Sequence, residues 1–182
     1  MKVFAVFGDP VAHSKSPHIH NNAIQTLNFQ GFYTRYHLQN AENLRDKLFS
    51  LALNGANITV PFKETALKIA DVKDEMALNI GSANTLLMKG TKIHAYNTDG
   101  IGFLKAIAEF KGIASALILG AGGTAKALAY ALSSQGVKVS VANRSAGRLK
   151  DFANYDTALY ENLQAKAFDI IINTTSAGLK DE

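Results

Sequence analysis

Residues 57–63 contain a short apolar segment that ends at Pro61, and Lys63 follows two residues later. Val60 precedes Pro61 and is biased towards extended backbone, and Pro61 has no N–H to donate to a sheet, so we expect a strand to end here. Lys63 then lies just beyond the carboxyl end of a strand, where open α/β sheets bind their ligands. A lysine in that position can act as a general acid or base. The alternative is a solvated loop lysine, the usual environment of this residue type.

Further polar side chains fall at the predicted ends of strands and helices in the first half of the chain. Each has a structural alternative, since Ser16 and Asp99 would cap predicted helices and Asn84 would occupy a turn. Together they suit a ligand with several hydroxyl groups and one carboxylate, because serines can donate to the anion while amides and carboxylates fix hydroxyls. The set comprises Ser14, Ser16, Asn57, Thr59, Asn84, Thr85, Asn97 and Asp99.

A glycine-rich turn follows a predicted strand in the second half and opens a predicted helix, a context in which the GxGxx(G/A) pattern predicts dinucleotide binding. Gly120 permits a tight turn, and Gly122 lets a pyrophosphate approach the backbone. Ala125 is small enough for helix and strand to pack, and the helix N-terminus offers N–H donors. The alternative is a structural turn without a ligand. The predicted cofactor residues here are Gly120, Ala121, Gly122, Gly123, Thr124 and Ala125.

The end of the next predicted strand indicates which dinucleotide binds. NAD sites usually place an Asp or Glu there, but this chain has Asn143, Arg144 and Ser145, with Arg148 one turn later. Two guanidinium groups suit a 2′-phosphate, and no carboxylate stands there to repel it. We therefore predict NADP rather than NAD. The alternative is a pair of solvated arginines at the start of a helix.

Apolar runs and helical patterns alternate along the whole chain, as expected for βαβ units that feed a mostly parallel sheet. In the first half, the predicted strands span residues 2–7, 32–37, 56–60, 85–88 and 92–96, the last two forming a hairpin, and the predicted helices span residues 16–28, 42–53 and 99–111. In the second half, the predicted strands span residues 116–119, 137–142 and 169–173, with helices up to residue 134 and over residues 147–154.

The predicted fold class is α/β, with an N-terminal, mostly parallel α/β substrate domain over residues 1–99. A linker helix over residues 100–112 follows, and residues 113–182 form a partial Rossmann-type dinucleotide-binding domain. A doubly wound domain normally contains two similar halves, so three predicted parallel strands leave one sheet edge unpaired. We therefore expect the chain to be incomplete at its carboxyl end.

Composition excludes several classes of protein. With 182 residues, 47% of them hydrophobic and 19% charged, the chain is not expected to be disordered. No apolar run approaches the ~18 residues that a membrane span requires. There is no cysteine, so disulfides and thiolate zinc sites are excluded, and the five histidines show no recognised metal spacing. The net charge of +4 comes from scattered lysines, which suits an anionic small ligand better than nucleic acid.

An ordered series of motifs closely resembles the shikimate dehydrogenases. This likeness extends from Met1 to Gly178, and the ordered series is far more specific than any single motif. The motifs are Ser14-Lys15-Ser16, Asn57-x-Thr59-x-Pro61-x-Lys63, Asn84-Thr85, Asn97-Thr98-Asp99, Gly120-Ala121-Gly122-Gly123, Asn143-Arg144-Ser145 and Asn173-Thr174-Thr175-Ser176-x-Gly178.

The resemblance implies an NADP-dependent oxidoreductase that interconverts 3-dehydroshikimate and shikimate in aromatic amino acid biosynthesis. The absence of cysteine suits a reducing cytoplasm. The resemblance also implies that Ser14 and Ser16 hold the substrate carboxylate and that Lys63 and Asp99 form the catalytic pair. Hydroxyl groups of the substrate would be held by Thr59, Asn84 and Asp99, and Asn57 is a further predicted substrate-binding residue. Further cofactor contacts are implied for Glu75 and Thr174.

Members of this family continue well past residues 173–178, and we expect this chain to be either a fragment of a longer enzyme or a naturally short form. A second hypothesis is therefore a non-catalytic module that binds shikimate or a nucleotide without hydride transfer. Quinate as an additional substrate, and NAD as a second cofactor, are also left open. The sequence does not fix the oligomeric state, with a homodimer as one possibility.

Overall fold

The chain forms two α/β units, Met1–Asn97 and Thr98–Glu182, of which the computed structural model describes residues 1–163 and 167–177. The predicted class is therefore confirmed, with a mostly parallel sheet in the first unit and a Rossmann-like parallel sheet in the second. The functional division at residues 1–99, 100–112 and 113–182 stays a prediction. Within the described ranges, none of the helices combines the length and apolarity needed to cross a bilayer.

The first unit alternates strands and short helices along the chain. Its strands are β1 (Lys2–Gly8), β2 (Gly31–His37), β3 (Gly55–Ile58), β4 (Val72–Lys73), β5 (Thr85–Lys89) and β6 (Lys92–Tyr96). Its helices are α1 (Ser16–Thr26), α2 (Leu44–Ser50), α3 (Lys63–Ile69) and α4 (Glu75–Ile80), with a 3-10 turn at Ala41–Asn43.

These strands form one six-stranded sheet in the order β2-β1-β3-β5-β6-β4. Only β5 runs antiparallel to the others, so the remaining strands all end at one edge. The start of β5 lies at the same edge, because Thr85 pairs with Asn57 of β3 and with Tyr96 of β6. We call this the carboxyl edge of the first sheet. Strand order reverses direction between β1 and β3, which is the kind of position where open α/β sheets bind ligands.

Alternate residues of the strands pack on the two faces of this sheet. Phe7 and Ile58 lie in the larger core with Leu44 and Leu48 of α2, and all four are almost completely buried. Val6 points to the other face, where it packs with Val11 and Tyr33 against Ile24 of α1. Both faces of the sheet are therefore covered.

The second unit has strands β7 (Ser115–Leu119), β8 (Lys138–Asn143), β9 (Asp156–Leu159) and β10 (Ile170–Asn173), in the all-parallel order β10-β7-β8-β9. Helix α5 (Asp99–Ala106) packs on α6 (Gly123–Ser134). Their approach is close, because a Cβ added at Gly100 would lie 2.8 Å from the Cβ of Ala131. Two 3-10 segments, Ala146–Phe152 and Tyr160–Asn162, complete the described elements.

Several predicted elements differ from the structure. The predicted helix 42–53 ends at Ser50, because Ala52 has a left-handed φ of 50° and Asn54 instead bonds to Val3 of β1. The predicted helix 99–111 ends at Ala106, and residues 147–154 form 3-10 turns rather than an α-helix. The sequence prediction also missed α3, β4 and α4. In the second unit it missed β9, which pairs with β8.

Candidate functional site

Ser14 and Ser16 lie together where the loop after β1 leads into α1. The Ser14 hydroxyl donates to Oγ of Ser16 at 3.1 Å and accepts from the Ser16 backbone N–H at 3.3 Å. Arg35 of β2 holds this loop, because its Nε donates to the Ser14 carbonyl at 3.0 Å. The prediction of Ser16 as N-cap is wrong, since Lys15 occupies that position and Ser16 is the first helical residue. The Ser14 hydroxyl already bonds to the Ser16 N–H, so both hydroxyls lie side by side at the helix start.

Lys63 lies past the end of β3, as the sequence predicts. The strand ends at Ile58, and Thr59 extends its pairing through a 2.8 Å bond from its N–H to the Phe7 carbonyl. The Thr59 methyl group packs against Gly8, where an added side-chain carbon would overlap it. Lys63 is the half-buried first residue of α3, and its carbonyl accepts from Ala83 N–H at 2.9 Å. The lysine is thus held between the end of β3 and the segment that leads into β5.

A polar network joins Tyr33 of β2 with the adjacent ends of β3 and β5. The Asn57 amide nitrogen donates to the Thr85 hydroxyl at 3.3 Å and to the Asn84 carbonyl at 3.4 Å. The Thr85 hydroxyl donates to Oδ1 of Asn84 at 2.9 Å. On the other side, Oδ1 of Asn57 accepts from the Tyr33 hydroxyl at 2.6 Å. The structure therefore brings Asn57, Asn84 and Thr85 together, as their predicted positions at strand ends require.

Tyr33 is a member of this network that sequence reasoning missed. It is 4% exposed, and burial raises the pKa of its hydroxyl above the usual value, an effect that a hydrogen bond from the Ser16 side chain partly opposes. The sequence contains only an indirect signal for this role of Tyr33. A tyrosine at a core-facing strand position must find a partner for its hydroxyl, and the polar residues at the neighbouring strand ends are the nearest such partners.

Asn97 stabilises the backbone next to this network. Its side chain is 3% exposed, and its amide nitrogen donates to the Ser82 carbonyl at 2.9 Å and to the Ser82 hydroxyl at 3.2 Å. The Asn84 N–H donates to the Tyr96 carbonyl at 3.1 Å. These bonds fix the backbone just before Asn84, so the role that the structure gives Asn97 is to position a neighbour.

Glu75 lies at the same edge but away from the network. It is the exposed first residue of α4, where Asp74 is the N-cap and accepts from Met76 N–H at 3.1 Å. Strand β4, which precedes Glu75, lies three strand positions from β3. At the usual strand spacing this is about 14 Å. The structure therefore does not bring Glu75 to Asn57, and its predicted cofactor contact stays a prediction.

Asp99 belongs to the second unit, where it is the half-buried first residue of α5. The prediction that it caps this helix is wrong, because Thr98 occupies the N-cap position. A carboxylate in the first turn is still favourable, since it lies near the positive end of the helix dipole. Gly100, the next residue, packs closely against α6. These contacts fix the start of α5 and the backbone that carries the Asp99 carboxylate.

The glycine-rich turn of the second unit has the predicted conformation. Gly120 has a φ of +105°, and its N–H donates to the Ala142 carbonyl of β8 at 2.8 Å. Thr174 packs beneath it and donates from both its N–H and its hydroxyl to the Leu119 carbonyl, each at 2.8 Å. The hydroxyl of Thr174 thus braces the turn, and its predicted cofactor contact stays a prediction. Gly178, the last residue of that motif, lies outside the described residues.

The start of α6 suits a pyrophosphate. A Cβ added at Gly122 would meet no atom within 4 Å, so the backbone there can be approached closely from outside. Ala125 is completely buried, as the packing of helix on strand requires. The helix begins at Gly123 and has 12 residues, so its first-turn N–H groups and its dipole favour an anion. The residues present therefore fit a dinucleotide phosphate.

The segment after β8 lies beside this turn, because β7 and β8 pair in parallel with Leu119 opposite Ala142. The Asn143 amide nitrogen donates to the carbonyl of Ser145 at 2.9 Å and to its hydroxyl at 3.3 Å, which folds the segment back on itself. The two arginines of the segment, Arg144 and Arg148, are exposed, and residues 143–148 contain no carboxylate. The predicted 2′-phosphate residues thus follow the same sheet edge as the glycine-rich turn. No group of three or more His, Asp or Glu among the described residues could hold a metal ion.

Two protein-family models match the chain. The first describes a shikimate dehydrogenase substrate binding domain and matches residues 6–86. The second describes shikimate/quinate 5-dehydrogenase and matches residues 105–179. The first match lies within the first unit and the second match within the second unit, in the order in which the sequence motifs occur.

Curated proteins and solved structures give the same result. The NADP(+) shikimate dehydrogenase of Helicobacter hepaticus is 45% identical over 98% of this chain and 68% of its own length. That of Helicobacter acinonychis is 44% identical over 100% of this chain and 70% of its own length. Shikimate dehydrogenase 1 of Peptoclostridium difficile superposes with a TM-score of 0.89 at 30% identity, over 100% of this chain and 69% of the other. A Thermus thermophilus shikimate 5-dehydrogenase, solved with NADP(H) and shikimate, gives 0.85 at 36% identity over 97% and 69%.

Proposed function

The chain belongs to the shikimate dehydrogenase family, and we propose that it catalyses the reversible, NADP-dependent reduction of 3-dehydroshikimate to shikimate. This is an oxidoreductase reaction on a CH–OH group and a step of aromatic amino acid biosynthesis. The observation that carries the proposal is the cluster of hydroxyl and amide groups at the carboxyl edge of the first sheet, with Lys63 next to it. Such a cluster suits a small ligand with several hydroxyl groups and one anionic group.

The substrate carboxylate is held by Ser14 and Ser16. Their hydroxyls lie 3.1 Å apart at the start of α1, so both can donate to one carboxylate. Asn57, Thr59 and Asn84 fix the ring hydroxyls, since amide and hydroxyl groups both donate and accept hydrogen bonds. The 2.9 Å bond from Thr85 to Oδ1 of Asn84 holds that amide in one orientation, which supports a role in recognition.

Lys63 is the proton donor in the direction of reduction. Its ammonium group gives a proton to the carbonyl oxygen as the ketone becomes an alcohol, and its amine takes the proton back in the reverse direction. Asp99 is its proposed partner and also binds a substrate hydroxyl, because a carboxylate favours the charged form of a lysine. Support for this role comes from the position of Lys63 past the end of β3, from its half-buried state and from the hydrogen bond that its carbonyl accepts from Ala83. The pairing of Lys63 with Asp99 is a prediction from the family resemblance.

NADP supplies or accepts the hydride at the carbon that bears the reacting oxygen. The open approach at Gly122 and the long helix behind it support pyrophosphate binding at this turn. The exposed guanidinium groups of Arg144 and Arg148 are the proposed ligands of the 2′-phosphate. The residues that would hold the cofactor are Gly120, Ala121, Gly122, Gly123, Thr124, Ala125, Asn143, Arg144, Ser145, Arg148 and Thr174, with Glu75 as a more distant candidate.

We expect the reaction to take place in the cytoplasm, because a chain without cysteine suits a reducing compartment. A homodimer is the predicted assembly to test first, and sedimentation of the purified chain at several concentrations would distinguish it from a monomer. Quinate is the alternative substrate, because the match to residues 105–179 names both activities.

The proposal is tested by two measurements on the same purified chain. We expect shikimate-dependent formation of NADPH from NADP⁺, and binding of shikimate in a calorimeter. Parallel assays with quinate and with NAD⁺ define the specificity. Shikimate binding without any hydride transfer would favour a non-catalytic binding module, and the absence of both binding and turnover would contradict the proposed function.

A further inference from the structure

We infer that Tyr33 is a positioning residue of the substrate site, which acts by orienting the side-chain amide of Asn57. The inference rests on the proposed function, because it assigns Asn57 to recognition of the substrate. Tyr33 itself is buried on the α1 face of the first sheet. It acts on Asn57 through the 2.6 Å hydrogen bond from its hydroxyl to Oδ1 of Asn57.

The orientation of the Asn57 amide is determined by the groups on its two sides. Its oxygen accepts from the Tyr33 hydroxyl, and its nitrogen donates to the Asn84 carbonyl and the Thr85 hydroxyl. If the amide turned over, its oxygen would face the Asn84 carbonyl, and two acceptors would oppose each other. The tyrosine hydroxyl holds the correct orientation from the side opposite to β5.

The Tyr33 hydroxyl is the first donor of a series that runs towards β5. It donates to Oδ1 of Asn57, the Asn57 amide nitrogen donates to the Thr85 hydroxyl, and that hydroxyl donates to Oδ1 of Asn84. Successive donors therefore point the same way, and such chains strengthen each bond within them.

Helix α1 holds Tyr33 more firmly than packing alone requires. The Asn21 side chain bonds to both backbone groups of Tyr33, accepting from its N–H at 2.9 Å and donating to its carbonyl at 2.8 Å. The ring of His20 stacks on the Tyr33 ring, with centroids 4.2 Å apart and planes 7° from parallel. The helix that begins at Ser16 therefore fixes both the backbone and the ring of the residue that orients Asn57.

The test is Tyr33→Phe, which removes only the hydroxyl. We expect the KM for shikimate to rise roughly three- to tenfold, the effect of one lost hydrogen bond, while kcat changes by less than about twofold. In an Asn57→Ala background the same substitution should leave the KM unchanged. The matched control is Tyr36→Phe, on the same strand but the opposite face, where the ring stacks on Phe7 at 4.9 Å. The control should keep the KM of the unsubstituted chain.

A second measurement does not depend on activity. The side-chain amide signal of Asn57 in a nitrogen-proton NMR spectrum, identified by its loss in Asn57→Ala, should shift in Tyr33→Phe and stay in place in Tyr36→Phe. An unshifted signal in a folded Tyr33→Phe chain would overturn the inference, and so would an unchanged KM or an equal rise of KM in the Asn57→Ala background. If the unsubstituted chain neither binds nor oxidises shikimate, the proposed function fails, and the Asn57 signal still decides whether Tyr33 orients the amide.

Discussion

A side-chain carbon added at Gly120 would lie 2.7 Å from the hydroxyl oxygen of Thr174. The φ of Gly120 is +105°, a backbone conformation that residues with a side chain rarely adopt. Thr174 cannot withdraw easily, because its N–H and its hydroxyl both bond to the Leu119 carbonyl at 2.8 Å. Glycine is therefore required at position 120 for two reasons: the backbone has a positive φ, and Thr174 leaves no space for a side chain.

Gly120→Ala should destabilise the chain and weaken NADP binding together. A side chain at this φ costs about 1–3 kcal/mol, and the contact with Thr174 adds to that cost. Thermal unfolding gives the loss of stability, and calorimetry with NADP⁺ gives the loss of affinity. Gly122→Ala is the matched comparison, because an added Cβ there meets no atom within 4 Å. It should unfold like the unsubstituted chain yet bind NADP⁺ less tightly, and an unchanged affinity would argue against a pyrophosphate at this turn.

Arg144→Ala and Arg148→Ala should each reduce the preference for NADP over NAD. A charge-assisted hydrogen bond contributes about 1.5–3 kcal/mol, so the KM for NADP⁺ should rise at least about tenfold while the KM for NAD⁺ stays nearly the same. The control is Lys150→Ala, because Lys150 is an exposed basic residue of the 3-10 segment that contains Arg148. Equal effects of all three substitutions would indicate a general loss of positive charge rather than specific 2′-phosphate recognition.

The stacked pair of His20 and Tyr33 predicts a pH dependence of stability. Partial burial lowers the pKa of His20 below the value of about 6.5 that is usual for histidine, so the unfolded chain binds a proton more readily than the folded chain. Acid therefore favours unfolding, and this contribution to stability is complete above about pH 6.5 and declines as the pH falls below it. His20→Phe keeps a ring for the stack and removes the titration.

The difference between these two chains gives the measurement. The free energy of unfolding of the unsubstituted chain should fall more steeply than that of His20→Phe between about pH 7 and about pH 5. An NMR titration of the His20 ring should show a midpoint below that of a solvated histidine. Parallel stability curves over this range would contradict the prediction.

Much of the fold could be predicted from patterns within short segments. Strand β1, helix α1 and the β5–β6 hairpin have clear apolar periods or turn signals, and the structure places them nearly as expected. Helices α3 and α4 were missed because they have seven and six residues, too few to show a helical period. A local signal did exist for α4, since Asp74 caps its start and Gly81 ends it with a φ of 73°. Strand β9 has four residues and none of them is fully buried, so its sequence shows no strand pattern.

The candidate site also contains residues that the sequence predicts and residues that it does not. Residues whose proposed roles follow from the ends of strands, such as Asn57, Lys63 and Gly120, could be located because chain order alone places them at a sheet edge. Tyr33 could not, because its bond to Asn57 joins residues 24 positions apart through a register that only the folded sheet defines. The capping assignments of Ser16 and Asp99 were each wrong by one residue, which is the usual uncertainty at a helix start.

The central claim, that Lys63 transfers the proton in an NADP-linked shikimate dehydrogenase reaction, is tested most directly by the initial rate of shikimate-dependent NADPH formation. The comparison is between the unsubstituted chain, Lys63→Ala, and Lys68→Ala, an exposed lysine of the same helix. We predict that kcat falls about 10²- to 10⁴-fold in Lys63→Ala, the usual contribution of a general acid, while Lys68→Ala keeps the original rate. A Lys63→Ala chain that forms NADPH as fast as the unsubstituted chain would contradict the claim.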